Sequence, residues 1–84
     1  LIGLGAHVAV VVGPREGEIQ ISLRSNRDFH EKTGIHLGRD IAKPLGEYLH
    51  GMGGGHSVSA GANGTGNVEA SLKRCMRLFK EKLK

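Results

Sequence analysis

Twelve residues in the middle of the chain, Gly51-Met52-Gly53-Gly54-Gly55-His56-Ser57-Val58-Ser59-Ala60-Gly61-Ala62, constrain its fold more than any other stretch. Three consecutive glycines remove every side chain that could hold a ligand away from the backbone. Their N–H groups can converge on an anion in conformations closed to residues with a Cβ. His56 adds a donor at the rim. A flexible connector is the plain alternative, but the run lacks the serine or proline spacing of a linker and sits between an amphipathic segment and a small-residue strand. No Gly-Lys-Ser/Thr follows, so it is not a Walker A loop, and Gly3-Leu4-Gly5 precedes a strand rather than following one, unlike a dinucleotide fingerprint. The run is expected to form a phosphate cradle.

The flanking sequence sets out the rest of the fold. His7 to Gly13 is a nearly continuous β-branched run, which suits a central strand covered on both faces. Gly13-Pro14-Arg15-Glu16-Gly17 is turn chemistry. Glu18 to Ser25 alternates, with Ile19, Ile21 and Leu23 on one face and Gln20, Ser22 and Arg24 on the other, so the two strands should pair as an antiparallel hairpin. Asn26 to Thr33 is polar and irregular, with Phe29 turned inward.

From Gly34 the period changes. Leu37, Ile41, Leu45 and Leu49 recur every fourth residue as one helical stripe. Pro44 interrupts it, so the expected helix over residues 37 to 50 has a distorted first half or a late start after Asp40 as N-cap, and it ends at Gly51. Val58 to Asn63 is a short strand of small residues. The last helix carries Val68, Leu72, Cys75, Met76, Phe79 and Leu83 at three-four spacing behind Asn67 as N-cap. Its outer face holds Lys73, Arg74, Arg77, Lys80, Lys82 and Lys84, a pattern that solvation and the helix dipole explain without a ligand.

Composition narrows the function. Eighty-four residues make one domain, and a chain that opens on Leu1 with an abrupt apolar stretch reads as a piece of a longer protein. The single cysteine, Cys75, has no internal partner and falls on the apolar helix face, so a reducing, cytoplasmic setting is the expectation. No apolar run reaches the roughly 18 to 20 residues that span a bilayer, so no membrane is expected as a partner. The formal charge of +4, from 12 basic and 8 acidic residues, favours an anionic partner. With only three aromatic residues, a stacking platform for bases is excluded and phosphate contact must dominate.

The element order places Arg24 at the end of the second strand and His56 at the start of the third. If those strands are neighbours, a planar guanidinium and an imidazole meet beside the glycine amides, a site for a phosphate or phosphodiester. Catalysis is not expected from this chain. The five histidines, His7, His30, His36, His50 and His56, lack the close carboxylates of a two-metal centre. Asp28, His30 and Glu31 lie in the polar stretch and read as surface. No nucleophile is paired with a base.

Ser22-Leu23-Arg24-Ser25, Gly-Ile-His-Leu-Gly at residues 34 to 38, and Gly53-Gly54-Gly55-His56 followed by Ser59-Ala60-Gly61 together resemble the DHH-associated C-terminal domain of DHH-family phosphoesterases. The likeness is greatest to the archaeal RecJ-like single-strand nucleases and runs from about His7 onward. It implies an α/β fold with a small mixed β-sheet and two main helices packed against it, residues 1–84 being the C-terminal, substrate-binding part of a longer phosphoesterase. It further implies an upstream DHH catalytic domain in the same chain that holds manganese or magnesium, with no cofactor in this fragment. The substrate would be single-stranded DNA or RNA or a short oligonucleotide. Its phosphate would be held at the positions matching Arg24, Ser25, Gly53, Gly54, Gly55 and His56. Met52 stands where many members have another glycine, and Ser59 replaces the first alanine of the usual Ala-Ala-Gly, which bears on substrate range. Two other classes remain open: a non-catalytic nucleic-acid module of the kind at the C-terminus of alanyl-tRNA synthetases, and a dimerisation or scaffold domain whose glycines only permit close packing.

Overall fold

A computed structural model of the chain describes residues 2–3 and 8–83. His7, the expected start of the first long strand, and Lys84 of the last helix lie outside the described residues. The chain forms an α/β domain with helices packed on one side of a small sheet. In chain order the elements are β1 (Ile2–Gly3), β2 (Val8–Arg15), β3 (Glu18–Ser25), α1 (Arg27–Thr33), a π-helical segment (Leu37–Ala42), α2 (Lys43–Tyr48), β4 (Met52–Gly55), β5 (Ser59–Gly64) and α3 (Val68–Lys82). The sheet order is β1-β2-β3-β5-β4, and every described ladder is antiparallel, so the mixed sheet implied by the resemblance has no parallel pair here.

The β2–β3 hairpin is tighter than its sequence suggests. The strands run on through Pro14 and Arg15, and only Glu16 and Gly17 turn, with φ of 49° and 83°. Two positive φ values match the right-handed twist of the flanking strands. Ser25 donates its N–H to the carbonyl of Val58, just before β5, which by alternation makes Pro14↔Ile19 a non-hydrogen-bonded pair of the β2–β3 ladder. The missing proline N–H therefore costs that ladder nothing.

Alternation fixes the two faces of the sheet. Val8 and Val10 of β2, Ile19, Ile21 and Leu23 of β3, and Ala62 of β5 are buried against the helices. Val11, on the other face, is 44% exposed, so the expected two-sided cover of the first long strand is corrected to one-sided cover. The helical layer supplies Leu37, Ile41, Leu45, Leu49, Cys75 and Phe79. Burial pushes the Cys75 thiol up to about 12, which makes it a buried apolar group at neutral pH rather than a nucleophile.

The polar stretch after β3 is helical rather than irregular. Asn26 caps α1 by accepting from the Phe29 N–H at 2.8 Å, and Gly34, at φ 73°, closes it by donating to the His30 carbonyl. Phe29 does turn inward, edge-on to Phe79 at 6.3 Å. The distorted first half of the next helix is the π-helical turn, in which Lys43 donates to Gly38. Pro44 has no N–H to give Asp40, and its ring would crowd that carbonyl in a regular α-helix. The wider turn avoids the conflict, and α2 then starts with proline in its first turn.

Candidate phosphate site on the open sheet face

The glycine run is a strand, not a cradle. Met52 to Gly55 pair with Asn63 to Ala60 of β5, and the sheet order leaves β4 at an edge. In this extended pairing successive amides point to opposite sides of the strand, so the N–H groups of Gly53, Gly54 and Gly55 do not converge on one point as an anion nest requires. The expectation of a nest is corrected.

Close packing accounts for most of these glycines. A Cβ on Gly53 would run into the carbonyl of Ala42, one on Gly51 into the carbonyl of Asn63, and one on Gly55 into the backbone of Ser59 and Ala60. From the other side, a Cβ on Gly38 would strike the backbone of Gly55, and one on Gly46 that of Met52 and Gly53. Gly38, Ala42 and Gly46 thus form a small-residue stripe that brings helical backbone directly onto strand backbone. Gly54 alone in the run has nothing within 4 Å of its would-be Cβ and no positive φ. The fold places no demand for glycine there.

Gly54 lies on the face that no described helix covers. Across that face the register sets one row of Val11, Ser22, Gly61 and Gly54 beside another of Ala9, Arg24 and Ser59. His56 completes the second row by donating its N–H to the Ser59 carbonyl at 2.7 Å. Arg24 is exposed, its cross-strand neighbours Ala9 and Ser59 are small, and it has no carboxylate partner among the described residues. A guanidinium flanked by hydroxyls and bare backbone is an anion platform, since its planar fork matches phosphate oxygens and nothing beside it competes.

The structure therefore brings Arg24 and Gly54 to one face, and the backbone of His56 to the same end of the sheet, joined through Ser59. It does not bring Ser25 there. Ser25 follows Ile19, Ile21 and Leu23 in alternation, so it faces the helical layer, where its Oγ is buried without a hydrogen-bond partner. Gly53 faces the helices through its missing side chain, that of Gly55 would meet β5, and both belong to the packing.

Three residues at this end, His36, Arg39 and Asp40, act together in a way the periodicity of the helical stripe does not reveal. His36, not Asp40, caps the π-helical segment: its Nδ1 accepts from the Arg39 N–H at 3.0 Å, while Asp40 accepts from the His36 N–H at 2.9 Å and from the Arg39 guanidinium at 3.1 Å. The next two amides, of Leu37 and Gly38, donate to the carbonyls of Ser57 and His56. This reciprocal cap fastens the segment under the turn that carries His56. A histidine followed by aspartate four residues on was its signal in sequence.

The Arg39 guanidinium, and then the His36 N–H, hold the Asp40 carboxyl below its ordinary value, against the opposing effect of burial. A carboxyl lowered in the folded state stabilises at pH above its unfolded value of about 3.9 and loses that contribution as pH falls through the lower folded value. Asp40→Asn is accordingly expected to lower the urea midpoint at pH 7 and to converge on the unsubstituted chain in acid. A constant gap from pH 7 to pH 2.5 would show that Asp40 acts through shape alone.

Among the described residues no three His, Cys, Asp or Glu side chains lie close enough to hold a metal ion. None of the described helices is long and apolar enough to cross a membrane.

No protein-family model matches the sequence. The chain is similar to an uncharacterized protein of Methanocaldococcus jannaschii, at 34% identity over 77 residues that cover 92% of this chain and 23% of that protein. The chain thus spans just under a quarter of the length of the relative it matches.

Proposed function

We propose that this chain is the phosphate-binding domain of a metal-dependent DHH-type phosphoesterase, of the RecJ-like kind that hydrolyses phosphodiester bonds in single-stranded nucleic acid or short oligonucleotides. The observation that carries the reading is the uncompensated guanidinium of Arg24 on an open, side-chain-poor face, in register with Ser59 and next to His56. Arg24 grips the substrate phosphate by its fork, His56 and Ser59 offer hydrogen-bond donors, and Gly54 leaves room for the ligand to lie close to β4. Fixing the phosphate here would set which bond reaches the hydrolytic centre. Hydrolysis belongs to an upstream domain of the same polypeptide, where manganese or magnesium supplies the activated water. The protein would work in the cytoplasm, in keeping with its lone buried thiol.

A packing role is the second reading, favoured by the contacts of Gly51, Gly53 and Gly55. It accounts for neither Gly54 nor Arg24. The test is the longer parent polypeptide incubated with a 5′-phosphorylated single strand and Mn²⁺. The expected result is hydrolysis that chelation abolishes, with none from residues 1–84 alone. A parent with no metal-dependent hydrolysis would contradict the enzymatic part of the proposal.

A further inference from the structure

The seam between α2 and α3, in the helical layer away from the open sheet face, runs along the basic side of α3. Within Val68–Lys82 there are five cations, Lys73, Arg74, Arg77, Lys80 and Lys82, against Glu69 and Glu81. Two adjoining hollows run along this seam, of about 230 and 380 Å³, sharing Tyr48 and Ala70 in their walls. Lys73, Arg74 and Arg77 line the first, and His50, Thr65 and Asn67 line the second.

Arg74 distinguishes this groove from an ordinary solvated face. Its guanidinium lies over the Tyr48 ring at 4.3 Å, and it has no carboxylate partner among the described residues. Stacking holds the planar group in one orientation and leaves its N–H edges free for oxygen acceptors. Lys73 and Arg77 stand one helical turn apart, about 6 Å along the axis. Each is paired only with an exposed glutamate on its own helix, Lys73 with Glu69 at 3.5 Å and Arg77 with Glu81 at 3.6 Å. Exposed pairs of this kind are weak and yield to a stronger anion.

We propose that the α2–α3 groove is a second nucleic-acid contact, which takes the phosphate backbone of a single strand on Arg74, Arg77 and Lys73. A phosphodiester backbone needs cations along a track and no apolar anchor. An acidic peptide gains most of its affinity from buried apolar or aromatic anchors, and around these cations the groove offers only Ala70 and a tyrosine whose face Arg74 already covers. The contact stands apart from the sheet site and does not depend on it.

The test is fluorescence anisotropy of a labelled 12-nucleotide oligothymidine without terminal phosphates, titrated with the 84-residue chain between 25 and 200 mM salt. Arg74→Gln with Arg77→Gln is expected to weaken binding at least tenfold and to reduce the salt slope by about 1.4, some 0.7 for each cation lost on a single strand. Lys73→Gln with Arg77→Gln, which leaves the Tyr48 stack intact, should give a similar loss, and this guards against a folding artefact in the first variant. Losses from Arg24→Ala and from the groove variants are expected to be independent, since the two sites lie on opposite sides of the fold. The proposal is overturned if both groove variants bind like the unsubstituted chain, or if only Arg24→Ala loses binding. It is equally overturned if a labelled oligoglutamate binds as tightly with the same dependence on the groove arginines, which would assign the surface to an acidic protein.

Discussion

Gly53→Ala is expected to remove about 3 kcal/mol of stability, at the upper end of the range for overpacked interiors. The added methyl meets the Ala42 carbonyl, which is backbone, so no side-chain rotation can relieve the overlap. Either β4 leaves its ladder with β5 or the π-helical turn lifts from the sheet. For a domain of this size the loss corresponds to a fall in melting temperature on the order of 12–24 °C. Gly54→Ala, one residue on, is the internal control. Its methyl meets nothing within 4 Å, and the change should stay within about 0.5 kcal/mol. Urea unfolding followed by circular dichroism separates the two. Equal stability of the two variants would show that helix and strand backbones are not in the contact described.

Arg24→Ala is expected to weaken binding of a 5′-phosphorylated dinucleotide by about 10- to 100-fold, the loss of a charged hydrogen-bonding group worth about 1.5–3 kcal/mol. The side chain is exposed and flanked by small residues, so stability should change by no more than about 0.5 kcal/mol. Gly54→Val should lower affinity in the same direction by raising a branched side chain where the ligand lies, again with little cost to the fold. Isothermal titration calorimetry with both variants checks this. Unchanged affinity in Arg24→Ala would remove the guanidinium from the site.

How far each element could be foreseen depends on whether local pattern or tertiary contact decides it. The alternation of Ile19, Ile21 and Leu23 defines β3 by itself, and Asn67 with the Cys75 and Phe79 stripe defines α3. Helix α1 escapes because none of its residues is fully buried, which leaves only its two caps, Asn26 and Gly34, as signals. Val11 is β-branched whether covered or bare, so composition could not say that one face of β2 is open. The glycine run departs from expectation for a related reason. Glycine permits a nest and a strand alike, and here the backbones of Ala42 and β5 choose the strand.

The candidate site was legible in part. Element order and alternation bring Arg24 toward His56, and the ladder between β3 and β5 joins them through Ser59. Ser25 entered through resemblance, while the same alternation that exposes Arg24 turns Ser25 toward the helices. The His36, Arg39 and Asp40 cap is masked by Pro44, which points to a helix start at Asp40 although the turn is capped four residues earlier at His36.

The most direct measurement is an NMR titration of the 84-residue chain with a short 5′-phosphorylated single strand. It follows the amides of Gly54, His56 and Ser59, the Arg24 Nε and, as a reference, the amides of α3. Saturable shifts at Arg24, Gly54, His56 and Ser59 that vanish in Arg24→Ala are the predicted result. No shift at these groups with ligand in the millimolar range, or shifts there that survive Arg24→Ala unchanged, would contradict a phosphate site on the open face of the sheet.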